Sequence, residues 1–185
     1  VTDATPALRK RWQEAAARNR PFQVEVCSRN SAGRDALEAF IQDGFQKKHG
    51  AEVRSFMPML IGLRDEAGQV VGAAGYRPAA REQLYLEQYL GQPIEQVIAA
   101  AQPHSVVARG DVAEIGNFAC RDCTTAMAMV EVLAEFLLDQ GHRWTGFTAT
   151  RTVRGIMRHL GLGLSELGRA DKSRVVVTAD QWGSY

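Results

Sequence analysis

Apolar side chains recur along this chain at two spacings, every second residue in some stretches and every third or fourth in others. The switches between them lay out the elements. Residues 22–26 alternate like a first strand. Residues 34–48 carry Leu37, Phe40, Ile41 and Phe45 at helical spacing, with Arg34 and Asp35 at the start and Gly50 as a stop. Two apolar runs, residues 57–63 and 69–76, are joined by Arg64-Asp65-Glu66-Ala67-Gly68 and read as an antiparallel hairpin. Residues 78–111 are less regular, and a helical patch at 93–101 predicts helices lying over the sheet. A strand around Glu114 follows. The next helix, 125–140, has Met127, Val130, Leu133, Ala134 and Leu137 on one face and is closed by Gly141. Residues 144–150 read as a strand, 152–160 as a helix ending at Gly161, and 174–178 as a last strand. A polar arm, residues 1–20 and helical from residue 6, precedes all of these. The order predicts an α/β fold, a mixed central sheet with helices on both faces, and no linker divides residues 1–185 into more than one domain.

Composition narrows the function classes. With 185 residues, 45% of them hydrophobic, the chain can bury a sizeable core. The 22 basic residues nearly balance the 21 acidic ones, for a net charge of +1, so the footprint of a nucleic-acid-binding or anionic-membrane-binding protein is missing. No run approaches the roughly 20 apolar residues of a membrane span. No segment reads as a basic face opposite a bulky apolar one, which argues against direct membrane lysis. The three cysteines, Cys27, Cys120 and Cys123, are too few and too odd in number for a disulfide framework, and with no signal-peptide pattern they predict a cytoplasmic protein. Cys120 and Cys123 form a CxxC pair, but no second pair or His cluster completes a metal site, so none is expected. His49, at a helix end, and His104, in a loop, read as exposed residues able to shuttle protons.

The chemistry concentrates at Glu114-Ile115-Gly116-Asn117-Phe118-Ala119. A carboxylate inside an apolar strand costs several kcal/mol unless it is paired or functional. Strand alternation puts Val112, Glu114, Gly116 and Phe118 on one face and Ala113, Ile115 and Asn117 on the other. A β-bulge would bring Glu114 and Asn117 together. Glu114 therefore reads either as a buried base of raised pKa or as one half of a structural ion pair with Arg77. Further along, Arg151, Arg154 and Arg158, three and four residues apart, share one helix face; they read as a solvated face or as a contact for phosphate or an acidic protein.

The element order, the hairpin at 57–76 and the pattern Val153-Arg154-Gly155-Ile156-Met157-Arg158-His159-Leu160-Gly161-Leu162 resemble the GNAT acyltransferase superfamily. More closely, the chain resembles the thermostable haemolysin family, a GNAT-like group, over nearly its whole length. The matching pieces are Arg54-Ser55-Phe56-Met57-Pro58, Gly75-Tyr76-Arg77-Pro78-Ala79, Leu86-Glu87-Gln88-Tyr89-Leu90, the Glu114 segment, Phe147-Thr148-Ala149-Thr150 and Trp182-Gly183-Ser184-Tyr185. A more distant resemblance is to acyl-homoserine lactone synthases, which transfer an acyl chain from a carrier protein to the amine of S-adenosylmethionine. Glu114 and Phe118 match their Glu and Phe, and Arg77 their hairpin Arg, while Asn117 stands where they have Arg.

The resemblance implies an N-acyltransferase that takes its acyl group from coenzyme A or from the phosphopantetheine of an acyl carrier protein, with no tightly bound cofactor, and delivers it to a small-molecule amine. It nominates Glu114, Asn117 and Arg77 for catalysis, with a backbone NH of the Glu114 strand on the thioester carbonyl. It assigns Glu87, Tyr89 and Arg54 to the acceptor and Phe118, Thr148, Thr150, Arg151, Arg154 and Arg158 to the donor. In GNAT enzymes a glycine-rich turn opening the central helix binds pyrophosphate; here that place reads Arg121-Asp122-Cys123-Thr124-Thr125-Ala126, without glycine. A GNAT-shaped binding module without catalysis is the alternative, and the family name adds a membrane-active haemolysin as a second.

Overall fold

The computed structural model describes residues 2–3 and 22–174. The predicted helix within the N-terminal arm, the last strand beyond Arg174 and the Trp182–Tyr185 motif lie outside the described residues. The strands are β1 (Thr2–Asp3), β2 (Gln23–Cys27), β3 (Met59–Arg64), β4 (Val70–Pro78), β5 (Val112–Cys120) and β6 (Trp144–Phe147). They form one mixed sheet in the order β1-β6-β5-β4-β3-β2, with β5 and β6 parallel and every other pair antiparallel. The helices are α1 (Arg34–His49), α2 (Glu87–Leu90), α3 (Ile94–Ala101), α4 (Cys123–Asp139) and α5 (Arg151–His159).

Alternation along the strands divides the core in two. One sheet face, with Leu60, Ala73 and Ala119, packs on Leu37, Ile41 and Phe45 of α1. The other, with Ile61, Leu63, Tyr76 and Ala113, packs on Met129, Leu133 and Leu137 of α4. The irregular stretch after β4 folds over Val112 and Trp144 through Leu84, Leu86, Ile94 and Ile98, all buried. Sequence periodicity could not resolve this stretch because polar contacts shape it. Arg109 donates to Glu87, Glu95 and the carbonyls of Ala79 and Glu82, drawing four parts of the segment together.

Helix α5 corrects one expectation. Arg151, Arg154, Arg158 and His159 project from it opposite Val153, Ile156, Met157 and Leu160, so it does set basic against bulky apolar residues. The apolar side is packed against Val130 and Leu138 of α4, as the face of a core helix would be. Among the described residues no helix is long and apolar enough to cross a membrane.

Candidate active site

β5 and β6 run parallel from the Val112–Trp144 pair to the Ile115–Phe147 pair and then separate: β6 ends, while β5 continues to Cys120. The crevice at the carboxyl ends of parallel strands is where α/β sheets place ligands. A cleft of about 440 Å³ opens there. The second half of β5 floors it, the end of α1 and the strap of residues 51–57 form one wall, and residues 147–157 form the other.

The floor contains a β-bulge. Between the paired positions Ala73–Ala119 and Gly75–Gly116, β4 contributes one residue and β5 two, and Asn117 takes a positive φ of 51°. Asparagine tolerates the left-handed region better than other side chains. The extra residue resets the alternation: Phe118 joins the α4-side clusters, and Asn117 turns to the strap, accepting from Met57 N at 2.8 Å and donating to the Ser55 carbonyl at 3.2 Å. The unbulged assignment of Phe118 to the Glu114 face and Asn117 to the opposite face is therefore reversed. Glu114 and Asn117 line one cleft.

Glu114 is 4% exposed, and its carboxylate accepts from Tyr85 N at 2.8 Å and Leu86 N at 2.9 Å. Burial pushes its pKa up, and this outweighs the two NH groups and the charge of Arg77, which pull it down. Arg77 is the cross-strand neighbour of Glu114, but its ion pair is with Glu82 at 3.7 Å and it donates to the Gln83 carbonyl. The alternative reading of a Glu114–Arg77 ion pair does not hold.

The chain matches the family described as thermostable hemolysin over residues 27–185. It belongs to that family. A search of curated proteins found no match. Among solved structures, the chain is similar to TofI in a ternary complex with an inhibitor and MTA, with a TM-score of 0.58 at 17% identity, covering 80% of this chain and 83% of TofI. It is also similar to the AHL synthase LasI, with a TM-score of 0.56 at 16% identity, covering 80% of this chain and 81% of LasI. These likenesses show the fold, a GNAT-like mixed α/β sheet.

In this member of the family the cleft gathers Glu114, Asn117, Arg77, Arg54, Phe118, Thr148 and Thr150. Arg54 is exposed and paired with Glu52 at 2.7 Å. Glu87 and Tyr89 do not line the cleft. Glu87 is held by Arg109 at 2.6 and 3.1 Å and by the NH groups of Leu84 and Ile94, and these together bring its carboxyl below the usual range although burial opposes them. The neighbour that does reach the cleft is Tyr85, edge-on to Tyr89 with ring centroids 5.8 Å apart. Arg151, Arg154 and Arg158 lie on the same helix as the cleft residues Val153, Ile156 and Met157 but do not line it, and Arg154 reaches Glu166 at 3.8 Å.

Three further residues shape the site. Buried Arg34 donates to the carbonyls of Met57 and Pro58 and to Glu38, so the strap is held at the Met57 carbonyl as well as at the Met57 NH that Asn117 takes. Its sequence signal was a cation in the first turn of a helix, where the dipole disfavours one. Met57 lies across Gly75 and Gly116, where side chains would collide with it. Asp122 caps α4, its Oδ1 accepting from Thr125 N and Oγ1 at 2.8 Å each. Cys120 and Cys123 also line the cleft; burial pushes the Cys120 thiol up to about 12, which makes it a poor nucleophile. His49 lines the cleft as well, while His104 is exposed.

Proposed function

We infer that this protein is an N-acyltransferase that moves an acyl group, fatty in our reading, from an acyl thioester to the amine of a small acceptor. The observation that carries the reading is the buried carboxylate of Glu114 in the wall of the cleft where the parallel strands part. The family's fold is shared with the AHL synthase LasI, which makes this chemistry the natural hypothesis.

Acyl transfer to an ammonium requires removal of a proton before the nitrogen can attack. Each Glu114 oxygen accepts one backbone NH and keeps a second lone pair, and its raised pKa brings it nearer to the operating pH of a general base. The amine lone pair then adds to the thioester carbonyl carbon. The C–S bond breaks, the nitrogen gives up its second proton as the amide forms, and the departing thiolate takes up that proton to leave as a thiol. Arg77 and Arg54 place two cations on the cleft beside the reacting groups, and Asn117 holds the strap that forms one wall. The apolar part of the acyl chain lies toward Phe118, Phe147 and Met157, which separate the cleft from a small apolar cavity of about 50 Å³.

The test is mass spectrometry of the protein incubated with acyl-coenzyme A and acyl-carrier-protein donors and a pool of amino acids, polyamines and S-adenosylmethionine. A new acyl-amide is expected, and Glu114→Gln lowers its rate by about 10²- to 10⁴-fold. A folded Glu114→Gln protein with wild-type turnover sinks the base assignment. The absence of any product would favour a binding module instead.

A further inference from the structure

The start of α4 is the place where a GNAT-like fold would receive the pyrophosphate of coenzyme A, and the residues there do not fit one. Anions bind at a helix N-terminus because its first NH groups lack partners and carry partial positive charge. In this chain that position is occupied from within: the Asp122 carboxylate takes the NH and hydroxyl of Thr125. These contacts hold its carboxyl below the usual range, so it carries a full negative charge at neutral pH. The basic residue of the turn, Arg121, is held between Asp122 and Asp65 at 3.3 Å each. The sequence from 121 to 126 has no glycine to let a backbone approach phosphate. A pyrophosphate would meet a capped helix and a fixed like charge.

The opposite side of the cleft has the reverse character. Helix α5 carries Arg151, Arg154, Arg158 and His159 and no acidic residue. Arg151 and Arg158 are exposed, and among the described residues Arg154 makes a 3.8 Å ion pair with Glu166, itself 74% exposed. Such a stripe fits the acidic surface of a protein that delivers a thioester on a long arm.

We propose that the acyl donor is a thioester borne on an acidic carrier protein docked against α5, and that Asp122 is the specificity-determining residue that turns coenzyme A away. This deepens the acyltransferase reading and rests on it. A carrier's arm ends in the same pantetheine thiol as coenzyme A, but its one phosphodiester lies at the carrier's surface. Nothing then has to occupy the end of α4.

The experiment compares kcat/KM for three donors of one acyl length: acyl-coenzyme A, acyl-pantetheine and acyl-carrier protein. Acyl-coenzyme A and acyl-pantetheine differ by the phosphorylated nucleotide alone. In wild type, acyl-coenzyme A is expected to be no better than acyl-pantetheine, and Asp122→Ser, which keeps a capping hydroxyl, should raise the ratio of the two by about tenfold as a like charge is removed. The carrier protein should exceed acyl-pantetheine by at least about tenfold, and reversing Arg151, Arg154 and Arg158 to Glu should collapse that ratio. Wild-type preference for acyl-coenzyme A over acyl-pantetheine, or a ratio unmoved by Asp122→Ser, overturns the proposal. If no donor gives product, acyl transfer itself fails, and calorimetry with an unreactive thioether analogue of acyl-coenzyme A still decides the role of Asp122. Tighter binding to Asp122→Ser than to wild type supports exclusion, and equal binding refutes it.

Discussion

Glu87 and Glu114 are both almost fully buried, yet their carboxyls move in opposite directions. Around Glu114 two backbone NH groups and a nearby Arg77 do not offset burial, so the pKa rises; around Glu87 a bidentate guanidinium and two NH groups do, so it falls. The signs for stability follow. A raised acid pKa contributes stability that is fully present below the ordinary carboxylate value and is lost as pH rises through the folded-state value. A lowered one contributes stability present above the ordinary value and lost as pH falls through the folded-state value. Glu87→Gln, which takes from Arg109 its bidentate partner and leaves it the Glu95 carboxylate at 2.8 Å, should cost about 2 kcal/mol at neutral pH, and the gap to wild type should narrow as acid protonates the native Glu87. Glu114→Gln should compare worst with wild type in acid and improve as pH rises. Urea midpoints measured from about pH 2 to pH 8, which takes in the acid range below the ordinary carboxylate value where Glu87 titrates, check both, and parallel curves for the two variants would refute the assignment. Glu114 was legible in the sequence because an acid interrupts an apolar run. The structural duty of Glu87 was not, because its partner lies 22 residues away in a segment without periodicity.

Among the elements, the floor of the cleft depends on one inserted residue. The bulge aims Asn117 at the strap and keeps Phe118 in the core, and its left-handed backbone separates two costs. Asn117→Gly should lose about 1 kcal/mol for the strap contacts, while Asn117→Ala should lose about 1–2 kcal/mol more from backbone strain. Chemical denaturation of the pair distinguishes strain from hydrogen bonding; equal losses would mean that the positive φ carries no cost. The two glycines under Met57 give a companion comparison. A methyl at Gly75 would meet Met57 Cβ at 2.5 Å and Cγ at 2.7 Å, whereas one at Gly116 meets the terminal Cε at 2.5 Å, which can swing aside. Gly75→Ala should destabilise by about 2–3 kcal/mol and Gly116→Ala by less than about 1.5. The helices α1 and α4 were readable at this scale because period 3.6 marks a helix wherever one face is buried. The shape of the bulge was not, since alternation alone assigns Asn117 and Phe118 to the wrong faces until the register with β4 is known.

For the molecule as a whole, a net charge of +1 concealed the asymmetry that bears on function, because the arginines of α5 are balanced by acids elsewhere. The layering of the fold matters in the same way. Ile115, Phe118, Phe147 and Met157 form a wall shared by the 440 Å³ cleft and the apolar cavity of about 50 Å³ between the sheet, α4 and α5. An acyl chain entering from the cleft would end against this wall, so its residues set the accepted length. Met157→Ala removes the one unbranched side chain from the wall and joins the two spaces. The preference for a donor two carbons longer should then rise by about tenfold, the discrimination that added methylenes provide in an apolar pocket. The same change costs about 2–5 kcal/mol of packing, so each length must be assayed below the variant's melting temperature. An unchanged length profile in a folded Met157→Ala protein would place the acyl chain elsewhere in the cleft, along the strap of residues 51–57 rather than beneath α5.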